Sequence, residues 1–306
     1  MDSGGSISNL AAKSMPFLAI LTHELHGLWK SWLVRSWLIA TAVVTFLIVA
    51  TNWANMQTAP LIALLLFPYL VFPWFLVVLL LGLNPVTGSR LEALSDGILC
   101  RPVTRWEYLL ASWAARVAVV LAAFLVVILP AVWIVAVADR PVVAEDHVTV
   151  YGIITSLVVV AMVLVFLVSL GFFAGTLLRS PLFAAAALIL IWMPVNLVLH
   201  TFSLEEFSPI SLNQSLPTLL RTPWHAAETV AAKDTGADDM QAAAEQAANF
   251  INVLAGGRSP TQRPPPNFYQ RGDYKDFSLL RVVMGYGLPT LAAVSLATLL
   301  FCRRDL

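Results

Sequence analysis

The sequence is short of charge. Lys, Arg, Asp and Glu make up 12% of its 306 residues, where a soluble domain carries about 25%. Hydrophobic residues make up 59%, and the mean hydropathy is +0.80. A chain so poor in polar groups cannot clothe a globule in water. That excludes a soluble enzyme, a nucleic-acid binder and a disordered protein. Cysteine is nearly absent: Cys100 and Cys302 are the only two. They cannot build a disulfide framework, and their spacing fits no metal motif. Residues 1–16 are polar and small, without the apolar core of a signal peptide. No GxxxxGK[ST] phosphate loop occurs, so ATP is not hydrolysed by that route. No GxSxG nucleophile elbow occurs either. Asp, Glu and Lys are missing from the interior of the long apolar runs. That counts against a proton relay and against an intramembrane protease, which need such groups at depth.

The apolar runs themselves dominate the chain. A membrane-spanning helix needs about 20 mostly apolar residues. Six stretches qualify: about 36–53, 60–83, 108–138, 148–178, 182–202 and 279–301. They are too long and too uniformly apolar for barrel strands, which would run about 9–11 residues with alternating polarity. The expected fold class is therefore all-α, a polytopic membrane protein of six transmembrane helices. Pro68 and Pro73 should kink the second span. Arg116 and Arg281 stand near span ends, where they are expected to snorkel to the interface. Ahead of the first span, Pro16 to Arg35 places Phe17, Ile20, Leu21, Leu25, Leu28, Trp29, Trp32 and Leu33 on one helical stripe. His23, Glu24, Lys30 and Arg35 interrupt it, so an amphipathic helix lying in the interface is expected.

Charge sets the orientation. With the N-terminus in the cytoplasm, that side holds Lys13, Lys30, Arg35, Arg90, Arg101, Arg105, Arg116, Arg179, Arg303 and Arg304. The two short outer loops hold only Arg140. This is the positive-inside pattern, with both termini cytoplasmic. The zero net charge thus conceals a polarised molecule, with ten bases against six acids inside and eight against twelve outside. One long extracytoplasmic loop, 203–278, joins spans five and six. Asp238 to Leu254 within it reads as a helix, with Asp238 as N-cap and Gly256–Gly257 as its stop. The proline-rich stretch SPTQRPPPNFY follows, expected to be extended.

Few polar residues invite chemistry. His23 and His26 have a spacing that a metal site could use, but no third ligand accompanies them, and a solvated helix face explains them. His200 falls at a span end. Asn213-Gln214-Ser215 fits the glycosylation pattern, which is short enough to arise by chance. No residue is expected to be catalytic and no metal site is expected.

The most informative stretch is NPVTGSRLEALSDGILCRPVTRWEYLLASWAARV, residues 84–117. It is cytoplasmic and dense in polar groups. Ser89 to Leu94 can form a short helix, and Asp96-Gly97 is a turn or stop signal. Arg101-Pro102 breaks the helix. Thr104 can cap the next one, with Glu107 at the capping-box position. About 25 residues is long for a bare helix connection.

This stretch resembles the loop between spans two and three of ABC-2 type ABC transporter permeases. The shared pattern is an acidic residue, a small–Gly pair, apolar positions, then Pro-Val-Ser/Thr-Arg and a return into the third span. Pro102-Val103-Thr104-Arg105 is its most specific part here. Glu24-Leu25 resembles the Glu-Leu of the family's elbow helix, and Phe301-Cys302-Arg303-Arg304-Asp305-Leu306 its aromatic-basic-Asp ending. Ile98 and Ser112 stand where the family often has Thr and Lys.

The resemblance implies a single permease domain, 1–302, with a cytoplasmic coupling loop at 84–107 and a tail at 302–306. It implies a permease subunit of an ATP-driven exporter in the cell inner (cytoplasmic) membrane, with ATP and Mg on a separate ABC ATPase and no cofactor on this chain. A second permease subunit would complete a homo- or heterodimer through spans one, two and five. In the loop, Leu91, Ile98 and Leu99 would anchor in the ATPase. Glu92, Asp96, Gly97, Arg101, Pro102, Val103, Arg105 and Glu107 would shape or rim the contact. Two rivals stand beside this reading. One is a non-transporting scaffold whose loop 203–278 binds an extracytoplasmic partner. The other is an intramembrane enzyme, which the missing polar residues at depth disfavour.

Overall fold

In a computed structural model the described residues are 4–71, 73–83, 104–138, 140, 148–178, 180–201, 208–221 and 279–303. Among them there is no β-strand. The helices are α1 (Gly4–Lys30), α2 (Trp32–Asn52), α3 (Thr58–Leu70), α4 (Trp74–Leu83), α5 (Arg105–Val137), α6 (Val150–Leu177), α7 (Pro181–Thr201), α8 (Pro209–Leu220) and α9 (Leu279–Arg303).

Local chemistry sets most of the breaks. Ser31 is extended, and its hydroxyl accepts from the Val34 N–H at 3.3 Å, which starts α2. The first helix therefore stops at Lys30 rather than running on to Arg35, and the first span begins at Trp32 rather than Ser36. A capping serine outranks the continuous apolar periodicity that carries the stripe across it. The second apolar run divides into α3 and α4, with α4 starting directly after Pro73. Proline lacks the N–H that a continuous helix would need there. Thr149 caps α6, its hydroxyl accepting from the Gly152 N–H at 3.0 Å. At 33 residues, α5 is the longest of these helices, about 50 Å at 1.5 Å per residue.

Among the described residues, five helical segments are long and apolar enough to cross a membrane: Trp32–Asn52, Thr58–Leu83 taken across the proline break, Trp106–Val137, Val150–Leu177 and Leu279–Arg303. In the helix at the expected fifth span, α7, the apolar stretch Leu182–Trp192 is shorter than that. Many large apolar side chains face outward, among them Phe46, Trp133, Leu190 and Leu291. An apolar exterior on this scale suits lipid and not water. The chain is a multi-pass membrane protein.

The core centres on α6, which packs against α3, α4, α5, α7, α8 and α9. Phe166 of α6 meets Tyr286 of α9 edge-on at 5.6 Å, and Tyr69 of α3 meets Phe124 of α5 at 4.9 Å. The element absent from the sequence reading is α8, which lies inside the expected outer loop. It is buried against α3 and α6 over most of its length. Its last residue, Leu220, offers a carbonyl to the Thr149 N–H at 3.0 Å. The expected helix 238–254 lies outside the described residues.

Candidate functional site

Two helix ends flank the stretch singled out by sequence. α4 leads into it at Leu83 and α5 leaves it at Arg105. Leu91, Glu92, Asp96, Gly97, Ile98, Leu99, Arg101, Pro102 and Val103 lie outside the described residues. What the structure supplies is the frame that holds the stretch at both ends.

The exit is capped as its sequence pattern requires. The Thr104 N–H donates to the Glu107 carboxylate at 3.1 Å, tying the first turn of α5 to its own cap residue. The entry is held more firmly. Gly82 of α4 lies against Gly171 of α6, and Gly175 of α6 against the backbone of Leu83. A Cβ on Gly82 would stand 2.6 Å from the Val168 carbonyl oxygen and 3.1 Å from the Gly171 Cα. A Cβ on Gly171 would stand 2.5 Å from the Leu79 carbonyl oxygen, and one on Gly175 2.5 Å from that of Leu83. Backbone cannot move aside as a flexible side chain can, so these positions admit only glycine at this spacing. The sequence signal was present, since Gly171-Phe-Phe-Ala-Gly175 is a GxxxG pattern inside an apolar helix.

α5 joins the same frame. The Trp113 indole N–H donates to the Ser169 hydroxyl of α6 at 2.9 Å. Leu109 packs with Phe172 and Ala297, linking α5, α6 and α9 below the exit.

Arg116 departs from expectation. It does not snorkel: it is 4% exposed and points into the bundle. Its Nε donates to the Leu81 carbonyl of α4 at 3.1 Å, and Nη1 donates to the Ser112 carbonyl at 2.8 Å and to the Ser112 hydroxyl. The Leu81 carbonyl near the end of α4, with the Ser112 carbonyl and hydroxyl, offers a buried guanidinium better ligation than a distant interface. Arg281, by contrast, is exposed near the start of α9, where snorkelling was expected.

The elbow residues lie on α1, whose main partner is α5. Glu24 is half-buried, and Leu25 packs against the core. His23 and His26 are exposed on that helix. No group of three potential metal ligands occurs among the described residues. Asn213 of the glycosylation pattern is fully buried in α8, so it cannot accept a glycan in this fold.

The geometry is that of a rigid mount around the 84–103 stretch. It has a locked entry, a capped exit and an elbow helix laid along the outgoing span. A family model described as ABC-2 family transporter protein matches residues 96–306, beginning inside the loop that this mount holds. No curated protein matches the chain.

Proposed function

From the premise that this chain belongs to the ABC-2 family of transporter proteins, we propose that it is the permease subunit of an ATP-driven exporter. ATP and Mg bind a separate ABC ATPase, whose surface receives the cytoplasmic loop at 84–107. Leu91, Ile98 and Leu99 seat in the ATPase as apolar anchors. Arg101 and Arg105 rim them, and Glu107 caps the outgoing helix. The chain carries six spans with both termini cytoplasmic, in the cell inner membrane, and pairs with a second permease subunit.

The observation that supports this reading best is the glycine contact at the loop's entry. A loop that receives a push is useful only if its root cannot yield. Gly82, Gly171 and Gly175 bring α4 and α6 so close that a displacement of α4 must carry α6 with it. α6 in turn packs on α9, α7 and α5. Motion entering at one loop is thereby delivered to the whole bundle instead of being absorbed at a hinge.

The test is co-purification of the tagged full chain from its native membrane. The reading expects an ABC ATPase in the eluate. Leu91→Asp puts a charge into an apolar seat and is expected to cut recovery of that ATPase at least tenfold. Arg105→Glu is expected to weaken it less. Both variants should melt in detergent like the parent. An eluate with no ATPase, or one whose ATPase survives Leu91→Asp undiminished, sinks the reading. A scaffold would tolerate both substitutions and fail on deletion of residues 223–265.

A further inference from the structure

Arg116 brings together two elements that the chain separates. It sits three turns into α5. Its Nε bonds Leu81, in the last turn of α4. The elbow helix α1 packs along this same α5. A buried cation in an apolar bundle is expensive unless oxygens surround it. Here one carbonyl comes from the helix entering the 84–103 stretch, and the other two oxygens come from the helix leaving it. Only arginine can do this from one side chain. Its planar fork presents Nε and Nη1 in fixed relative directions, where a lysine would bring a single point charge.

We propose that Arg116 is a positioning residue that clamps the two roots of the coupling loop to each other. The clamp makes α4 and α5 move as one body when the loop is displaced. The glycine contact fixes α4 against α6 but leaves the α4–α5 spacing undetermined, and Arg116 sets it. α1, packed along α5, follows the pair. The proposal rests on the coupling-loop reading above for its purpose, but the clamp can be tested without any ATPase.

Spin labels at Leu80→Cys and Trp106→Cys, both exposed positions, report the spacing of α4 and α5. The background is the full chain carrying Cys100→Ser and Cys302→Ser, which removes its only two native thiols. The labelled chain is expected to give one narrow distance distribution. Arg116→Lys keeps the charge and most of the volume but loses the fork, and is expected to broaden the distribution at least twofold. Ser112→Ala removes a same-helix acceptor and leaves the bond to Leu81, so it should change nothing. A purely structural role predicts that width follows melting temperature across the variants. The clamp predicts broadening in Arg116→Lys even at an unchanged melting temperature. A distribution in folded Arg116→Lys as narrow as the parent's overturns the proposal. So does equal broadening in Ser112→Ala.

A second measurement repeats the labelling on the co-purified complex, with and without ATP and vanadate. The parent distance should stay one unshifted peak, since α4 and α5 move as one body, and Arg116→Lys should keep its ATPase but shift or split. A shifted parent peak overturns the clamp. If the parent brings down no ATPase, the functional reading falls, while the isolated-chain measurement still decides the clamp.

Discussion

The two ends of the bundle are fastened in different ways. At the end that carries the 84–103 stretch, helices meet backbone to backbone through Gly82, Gly171 and Gly175, and a buried guanidinium ties α4 to α5. At the opposite end one close backbone contact, Gly152 against Leu220 of the 12-residue α8, is joined by long side chains that reach across gaps. Arg140 donates to the Trp53 and Met56 carbonyls at 3.4 and 3.3 Å and to the Thr58 hydroxyl at 2.6 Å. Its guanidinium also stands over the Trp53 ring at 5.6 Å. Arg221 donates to the Gln57 side chain at 3.1 Å. Backbone contact has no slack, whereas an arginine can release one set of oxygens and find another. On the proposed reading, the first end transmits displacement and the second tolerates it.

The largest expected effect tests this contrast directly. Gly171→Leu forces atoms into the Leu79 carbonyl and the Gly82 backbone. Both belong to α4, which is held by α3, α5, α6 and α7 and has nowhere to go. A loss of about 3 kcal/mol or more is expected, at the upper end of overpacking costs. It would be read as failure to accumulate or a collapsed melting temperature in detergent. Gly152→Leu is the matched change at the other end, where a Cβ would strike Leu220 of α8. α8 is only 12 residues long and can shift as a unit, so a loss of about 1–3 kcal/mol is expected. If Gly152→Leu proves the more damaging of the two, the difference between the ends is wrongly drawn.

Next in size is Arg140→Ala. It removes three hydrogen bonds and a cation–π contact from the turn between α2 and α3, at a partly exposed position. Melting should fall by the equivalent of about 1–2 kcal/mol. Arg140→Lys should recover less than half, because one ammonium cannot serve three oxygens and a ring face together. Co-purification of the ATPase should be untouched by either variant, since the change lies at the end away from the loop. Loss of the ATPase in Arg140→Ala would mean that the two ends are coupled more tightly than their fastening implies.

The sequence made the helices legible because length and uniform apolarity are the signal that lipid imposes. It also made the loop's exit legible, since Thr104 and Glu107 are three residues apart and a capping box is a local device. Three features were not legible, each for its own reason. Ser31 ends α1 inside an unbroken apolar pattern, so periodicity ran through a stop that only the cap reveals. α8 begins with Pro209 and contains Asn213, Gln214 and Ser215, which read as loop. It is a helix because α3 and α6 bury its face, and burial by partners is not written in a segment's own composition. Arg116 was placed at the interface because its distance from the span end permits snorkelling. Nothing in its own helix announces that the Leu81 carbonyl, 35 residues earlier, would lie close enough to hold it.

The smallest effect belongs to the one part of the mount that sequence and structure describe alike. Glu107 accepts from the Thr104 N–H at the first turn of α5, an exposed position where water competes for both groups. Its negative charge also faces the positive end of that helix's dipole. Glu107→Ala removes both contributions, about 0.5–1 kcal/mol together. Glu107→Gln keeps an acceptor oxygen and should recover roughly half of that. Fraying of one turn should barely move the melting temperature of so large a bundle. It should instead appear as faster amide exchange at residues 105–108, confined to that turn. Exchange that instead spreads to α4 in Glu107→Ala would place the cap inside the α4–α5 clamp. The exit of the loop would then be fastened as stiffly as its entry.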